Sequence, residues 1–319
     1  MSTPLDIGLI GAGKIARYHL PVLGQLPGVR VSALADPQAE RVAQLADRFG
    51  IERRLDSHLP LLEGRRPDAV FVMVSILQSA EVAASFIAAG IPTFIEKPPG
   101  LHTEETRRLA ALAREHGTLV MVGLNRRFYS TLLQGRQLLL ESGPIRSVAV
   151  ASQGEPQQAW PHHPPEVVRR WCTANDIHVL DLLRFFGGEV RQVQTLQRRF
   201  EGPGPDACAA LVDFAEGGLG QAVVEWTAPG KGHRIEARGP GVTLAAEWGM
   251  EQVGLWRRGQ EAQVLELDEE DRRFKPGFWR QDQCFVDCVR HGRPLPFPAC
   301  DLEDALRTME LVDQISGTV

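Results

Sequence analysis

The chain has 319 residues, a formal net charge of −5 and a pI near 6.0. Its basic residues are dispersed, so we expect no nucleic-acid partner, because phosphate neutralisation needs a clustered basic face. The longest apolar run, residues 69–77, is too short to span a bilayer, and no signal peptide is visible at the start. We therefore expect a cytoplasmic protein without membrane contact, and the length favours two domains.

The first predicted elements are a buried strand, a glycine-rich turn and a helix. Residues 5–16 read LDIGLIGAGKIA. Gly11 permits the tight turn, Gly13 lets the backbone approach a pyrophosphate, and Ala16 lets the helix pack against the strand. The phosphates then bind at the helix N-terminus, beside Lys14 and Ile15, where the helix dipole favours negative charge. The pattern predicts a dinucleotide site.

The second strand, residues 31–36, ends at Asp36. An acid at this spacing is placed to accept hydrogen bonds from both ribose hydroxyls and to repel a 2′-phosphate. We therefore expect NAD as the cofactor. NADP stays possible, because the nearby Arg41 softens the preference.

The remainder of the first 122 residues continues to alternate between helix and strand. Helices are predicted to about residue 26, over 38–49 and 79–89, and from a capping Thr103 to Gly117; strands are predicted at 68–74, 93–95 and 119–122. Continuous apolar strands separated by helices indicate a parallel sheet covered on both faces. We predict a doubly wound α/β Rossmann domain over residues 1–122.

The pattern changes after residue 122. Strands are predicted at 147–152, 190–196, 207–214, 220–226, 235–238, 242–248 and 253–256, with helices at 129–140, 171–186, 278–290 and 301–315. Glycine-rich turns between several strands indicate antiparallel hairpins. We predict an α+β domain for substrate binding and oligomerisation over residues 123–319, built on a mainly antiparallel sheet.

The predicted strand at 93–95 runs directly into Glu96, Lys97 and Pro98. Ligands of an open parallel sheet bind at the carboxyl ends of its strands, so Lys97 emerges where the nicotinamide should lie. Five features then resemble the Gfo/Idh/MocA oxidoreductases, named for glucose–fructose oxidoreductase and inositol dehydrogenase: the glycine-rich turn, the Glu96-Lys97-Pro98 tripeptide, NRRF at 125–128, the helix bearing His178 and Asp181, and the closing segment 301–315.

The resemblance implies a mechanism. In that family the lysine of the tripeptide binds the reacting hydroxyl, and a histidine on a helix of the second domain acts as general acid/base. These residues correspond to Lys97 and His178. The chemistry is reasonable, since a histidine can take the hydroxyl proton as hydride leaves, while an ammonium stabilises developing negative charge on oxygen.

The chain departs from the family pattern at two places. An acid normally stands four residues before the histidine, but here that position is Ala174, followed by Asn175 and Asp176 as the remaining catalytic candidates. Many relatives also carry Thr-Pro and then His after the fourth strand, where this chain reads VSILQS over residues 74–79. Cofactor contacts there are expected from the backbone and Ser75.

Other side chains complete the predicted site. Glu96 joins the cofactor contacts, Arg126 and Arg127 are candidates to bind substrate near the domain junction, and Trp160 is a candidate wall against a sugar ring. The alternatives are solvated arginines and a core tryptophan. We expect no metal, because the five cysteines contain no CxxC pair and are typical of reduced thiols.

These features together predict an NAD(P)-dependent oxidoreductase that transfers hydride between the nicotinamide and a hydroxyl or carbonyl of a sugar, cyclitol or related polyol. The alternative is a non-catalytic NAD(P)-binding sensor or regulator with the same fold, which the missing acid at Ala174 favours. Lyase-like or reductive chemistry on another ring also remains open. A homo-oligomer formed through the second sheet is expected, since family members often cover that sheet by dimerising.

Overall fold

The computed structural model describes residues 4–202, 204–230, 232–247 and 249–318. The chain divides into two compact units. The first unit contains the residues up to Leu124 together with Arg273–Leu306, and the second contains Asn125–Arg272 and the residues from Arg307 onward. The segment Arg273–Leu306 therefore belongs to the first unit, although it follows the second sheet in sequence.

The first unit is a doubly wound Rossmann fold. Its strands and helices are β1 (Leu5–Ile10), α1 (Ala16–Leu23), β2 (Val29–Ala35), α2 (Ala39–Phe49), β3 (Arg53–Leu55), β4 (Ala69–Val72), α3 (Ile76–Ala88), β5 (Thr93–Glu96), α4 (Thr103–His116) and β6 (Val120–Gly123). All neighbouring strands are parallel, in the order β3-β2-β1-β4-β5-β6. The predicted fold class is confirmed.

Two local predictions for this unit need correction. Strand β3 was not predicted, because its three residues include two arginines and form no apolar run. The N-cap of α4 is His102 rather than Thr103. The Glu105 carboxylate accepts the His102 backbone N–H at 2.9 Å. The Glu105 side chain thus reaches back and pairs the backbone donor of the N-cap residue.

The second unit is built on an eight-stranded sheet. Its elements are α5 (Ser130–Glu141), β7 (Ser147–Gln153), α6 (Pro165–Arg169), α7 (Ile177–Gly187), β8 (Val190–Arg198), β9 (Ala207–Phe214), β10 (Leu219–Glu225), β11 (Gly232–Gly239), β12 (Val242–Ala246), β13 (Gln252–Arg257), β14 (Gln263–Glu266) and α8 (Glu269–Arg273). The strand order is β14-β13-β12-β11-β7-β10-β9-β8, and β7 with β10 forms the parallel pair. The sheet is thus mixed and mostly antiparallel.

Two longer helices follow α8 in sequence. They are α9 (Phe278–His291), in the first unit, and α10 (Leu302–Ser316), within which the division between the units falls. The predicted strand at 242–248 ends at Ala246, and Trp248 lies outside the described residues. Within the described ranges, no helix combines the length and apolar character that crossing a membrane requires.

The two faces of the second sheet differ in character. Helix α7 packs against β7, β10 and β11, and α5 packs against β12, β13 and β14. On β10 the side of Ala222 and Val224 is buried, whereas Leu219 and Val223 on the other side are exposed. This period-two alternation leaves one face covered by helices and the other face partly apolar and open.

Candidate active site

The turn after β1 contains two glycines with different surroundings: Gly11 is sterically required, and Gly13 faces open space. Gly11 has a φ of +105°, and a Cβ there would lie 2.4 Å from the Met73 carbonyl oxygen. A Cβ at Gly13 would meet no atom of the described residues within 4 Å. The Gly13 backbone therefore borders open space before α1, next to the exposed Lys14 and the N-cap residue Ile15. Both features fit a bound pyrophosphate.

Asp36 lies beside the same turn, directly after β2. Its Oδ2 accepts the Ala12 N–H at 2.8 Å, and its Oδ1 accepts the Gln38 N–H at 2.8 Å. A carboxylate has about four lone-pair sites, so both oxygens can accept further hydrogen bonds. The Asp36 carboxylate is thus held at the turn with capacity for ribose hydroxyls.

The other predicted cofactor residues follow the carboxyl ends of the central strands. The strand order reverses between β1 and β4, which is where open α/β sheets bind ligands. Ser75 is the N-cap residue of α3, just beyond β4, and Glu96 ends β5. Lys97 follows Glu96 and is half-buried. The parallel sheet therefore brings these residues to the same edge as the glycine-rich turn.

Sequence analysis missed a buried charged cluster at this edge. His19 on α1 is fully buried, with Nδ1 at 2.8 Å from Asp282 Oδ2 of α9 and Nε2 at 3.2 Å from Glu96 Oε1. Burial disfavours a charged imidazole, but the two carboxylates outweigh this effect and raise the pKa of His19 to about 9. His19 is a cation at neutral pH and donates from both ring nitrogens.

The second unit places the predicted acid/base residues on an irregular helix. Residues Cys172–Asp176 form a π-helical turn that continues into α7, where the sequence predicted regular helix. Such turns are frequent at functional sites. Ala174 is half-buried, Asn175 is exposed and Asp176 is fully buried, while His178 in the first turn of α7 is half-buried.

Asp176 is enclosed by hydrogen-bond donors. Its Oδ1 accepts from Ser152 Oγ at 2.6 Å and from Asn175 Nδ2 at 3.0 Å. Its Oδ2 accepts from Trp226 Nε1 at 2.9 Å, and His233 Nε2 lies 3.4 Å from Oδ1. The Asp176 carboxylate is therefore fully buried and bonded on both oxygens.

His233, on β11, connects Asp176 to Arg126. The His233 Nδ1 contacts Arg126 Nη2. A guanidinium only donates hydrogen bonds, so Nδ1 accepts and Nε2 carries the proton directed at Asp176. Burial lowers the pKa of Arg126, while Tyr129 and Asp176 act in the opposite direction. Sequence analysis did not single out His233, because a lone histidine on a strand carries no motif.

An open cavity of about 870 Å³ adjoins this network within the second unit. Two indoles, Trp171 and Trp226, and two polar side chains, Asn175 and His233, are among its lining residues. Flat apolar surfaces beside a few polar groups are typical of small-molecule sites. A cavity with this volume and lining can hold a small molecule.

Arg127 and Trp160, two of the predicted substrate residues, have different surroundings. Arg127 is buried and makes a bidentate pair with Asp181, from Nε at 2.7 Å and from Nη2 at 2.6 Å. Asp181 Oδ1 also accepts from Thr308 Oγ1 at 2.8 Å. Trp160 is half-buried in a short 3₁₀ turn, next to the cavity-lining Ala159. These contacts give Arg127 a role in the fold of the second unit.

The parallel sheet, its glycine-rich turn and the placed acid define a dinucleotide-binding domain of the Rossmann class. Residues 5–124 match the family model described as an oxidoreductase family with an NAD-binding Rossmann fold, and residues 143–244 match the Gfo/Idh/MocA C-terminal domain. The chain belongs to the Gfo/Idh/MocA oxidoreductase family, which confirms the resemblance found in its motifs.

Known proteins resemble the chain over different lengths. An uncharacterised oxidoreductase of Bacillus subtilis, YrbE, is 32% identical over 40% of this chain, and the match spans only 38% of YrbE. The scyllo-inositol 2-dehydrogenase (NAD(+)) of Bacillus subtilis is 24% identical over 92% of this chain and 88% of its own. The crystal structure of GenD2 from gentamicin A biosynthesis, in complex with NAD, is 26% identical and superposes with a TM-score of 0.78 over 98% of this chain and 93% of its own.

The two turn glycines generate a paired prediction. Gly13→Val should abolish NAD binding and leave the unfolding transition unchanged, because the added side chain enters open space that the pyrophosphate needs. Gly11→Ala should instead lower the free energy of unfolding by about 1–3 kcal/mol, because it forces a positive φ and a backbone clash. Calorimetric NAD titration and urea unfolding measure the two effects. Unchanged NAD affinity in Gly13→Val would remove the phosphate-binding assignment.

Proposed function

We propose that the protein is an NAD-dependent dehydrogenase acting on a CH–OH group of a sugar, cyclitol or related polyol. The observation that carries this proposal is the position of Lys97 at the carboxyl edge of a Rossmann sheet, directly after β5, the strand that pairs with β4. Membership of the family and the inositol dehydrogenase named above support the substrate class. The nicotinamide ring of NAD would accept the hydride.

We assign the proton and charge chemistry to two side chains. The Lys97 ammonium binds the substrate oxygen and stabilises the negative charge that develops as its proton leaves. The His178 imidazole takes that proton as the general base. Ala174 has no acidic side chain to assist His178. In this proposal the buried Asp176 orients Asn175 and His233 instead.

We place the substrate ring in the cavity of the second unit. Trp171 and Trp226 offer apolar surface for the C–H face of a polyol ring, and Asn175 and His233 offer polar edges for its hydroxyls. Arg126 supports this arrangement through its contact with His233. Which hydroxyl reacts depends on how these groups orient the ring.

The alternative function is a sensor that binds NAD(P) without turnover. Ala174 favours it, since the acid that assists the histidine in relatives is missing here. Tight NAD binding with no reduction by any polyol or aldose would support the sensor. A screen of polyols and aldoses with NAD, followed by nicotinamide absorbance, separates the two functions.

Asp36 generates a prediction about cofactor choice. Asp36→Ala should weaken NAD binding by roughly 1–3 kcal/mol, because charge-assisted hydrogen bonds to the ribose are lost. NADP binding should weaken less or improve, since a carboxylate no longer opposes the 2′-phosphate. Parallel calorimetric titrations with NAD and NADP measure this difference. A wild-type protein that prefers NADP would contradict the role given to Asp36.

Lys97 and His178 generate the test of the reaction. Lys97→Met removes the charge and keeps the length, and His178→Asn removes the titratable nitrogen and keeps a polar group. Each should reduce kcat by about 10²–10⁴, the usual contribution of general acid/base groups. The double variant should lose less than the product of the two factors, because both act on one proton transfer.

The pH profile supplies the control for this test. The wild-type rate should rise with pH as a base on the enzyme loses its proton, and that dependence should be absent in His178→Asn. NAD affinity should change little in His178→Asn, and ADP-ribose affinity should change little in both variants, since neither residue holds the adenosine half. Wild-type turnover in both variants would contradict the mechanism.

We further propose that the open face of the second sheet forms a homo-oligomeric interface. Exposed apolar side chains from separate strands share that face: Leu196, Leu211, Leu219, Val223, Trp256 and Val264. Exposed apolar side chains that share one sheet face are typical of a protein–protein contact. A second copy of the chain would cover it with the same surface, as cyclic dimers do.

This interface predicts a mutation-sensitive dimer. Leu211→Glu should shift the protein to monomer in sedimentation equilibrium, because a charge would be buried at the contact. Leu59→Glu is the matched control, since Leu59 is 57% exposed and Leu211 is 62% exposed, but Leu59 lies in the first unit. A wild-type protein that is monomeric at micromolar concentration would contradict the proposed interface.

A further inference from the structure

The cluster of His19, Asp282 and Glu96 joins three separate segments of the first unit. His19 lies on α1, directly after the glycine-rich turn, Glu96 ends β5, and Asp282 comes from α9. The side chains of His19 and Asp282 are fully buried, and that of Glu96 is 12% exposed. Of these three side chains, Glu96 is the one with some exposure to solvent.

Aromatic rings pack against the buried His19 imidazole. The rings of Phe71, Phe94 and Phe278 lie with centroids 5.4, 5.3 and 4.8 Å from the imidazole. Gln281 Nε2 donates to Asp282 Oδ1 at 3.4 Å. Burying charges among aromatic rings is costly, and replacing such groups by apolar side chains is often neutral or stabilising. Stability alone is therefore a weak reason for a charged cluster at this position.

We propose that His19 and Asp282 are positioning residues that fix the Glu96 carboxylate, and through it Lys97, for the nicotinamide half of the cofactor. Asp282 orients the His19 ring by accepting from Nδ1, and Nε2 then directs its proton at Glu96 Oε1. At other histidine sites, too, an acceptor bonded to one ring nitrogen fixes the ring orientation and sets which proton the other nitrogen presents. The inference rests on the proposed role of Glu96 and Lys97 in cofactor binding.

The Glu96 carboxylate packs against Gly123 and the Lys97 backbone. A Cβ at Gly123 would lie 2.8 Å from Glu96 Oε1, so the carboxylate occupies space that only a glycine leaves free. The other oxygen, Oε2, lies 3.3 Å from the Lys97 backbone nitrogen. The carboxylate thus contacts His19 with one oxygen and the start of the Lys97 segment with the other.

The account predicts an effect confined to the nicotinamide half, which two ligands can separate. NAD carries the nicotinamide, whereas ADP-ribose carries the same adenosine, pyrophosphate and ribose groups without it. His19→Gln should weaken NAD at least about tenfold and change ADP-ribose affinity less than twofold. Asp282→Asn should produce a smaller loss, because an amide oxygen still accepts from His19 but carries no charge.

Two further variants make the comparison specific. Glu96→Gln is the reference, since it alters the residue that the cluster is proposed to fix. Arg290→Ala is the matched control on α9, because Arg290 Nη2 bonds the carbonyls of Pro27 and Gly28, away from Glu96. Arg290→Ala should leave the ratio of the NAD and ADP-ribose dissociation constants as in the wild type. ADP-ribose binding also reports that each variant is folded.

The outcomes separate this inference from the proposed function. A normal ratio in His19→Gln, with a changed ratio in Glu96→Gln, would overturn the positioning role alone. A normal ratio in both variants would overturn it together with the placement of Glu96 at the nicotinamide. An equal loss of both ligands in His19→Gln and Asp282→Asn would show a purely structural role and also overturn it. The turnover of Lys97→Met and His178→Asn tests the hydride-transfer proposal independently.

Discussion

Buried charge is the constraint on which much of this structure depends. An ion removed from water costs several kcal/mol unless a partner or hydrogen bonds compensate it. In the first unit the protonated His19 meets two carboxylates, and in the second unit Arg127 makes a bidentate pair with Asp181. Asp176 is satisfied by side-chain donors from the sheet and from its own turn. Each unit thus fixes charged groups close to its candidate functional residues.

Backbone geometry carries the rest of the cofactor site. Parallel strands end at one edge, so residues far apart in sequence, such as Asp36 and Lys97, come to the same side of the sheet. The glycine-rich turn adds the open approach at Gly13, and α1 adds the dipole of its N-terminus. The second unit supplies a cavity whose polar groups are linked to the buried Asp176. The proposed reaction needs both the cofactor site of the first unit and the cavity of the second.

The first unit was predicted well because its main features are short motifs within single segments of the sequence. The turn glycines, Asp36 and the tripeptide ending β5 each have a defined spacing or flank an apolar strand, and the family resemblance followed from them. Contacts between distant segments were not predictable in this way. His19 shows its role only when α9 supplies Asp282, and His233 only when β11 lies beside β7. The π-helical turn before α7 was missed because its residues read as ordinary helix.

Direct transfer of hydrogen from substrate to NAD distinguishes dehydrogenase turnover from cofactor binding alone. A polyol that the protein oxidises, deuterated at the reacting carbinol carbon, is incubated with NAD, and the reduced nicotinamide is analysed by mass spectrometry. One deuterium should appear in NADH for each molecule oxidised, because hydride passes directly between the two carbons. Deuterium released to water, or no reduced cofactor with any polyol or aldose despite tight NAD binding, would contradict the dehydrogenase function.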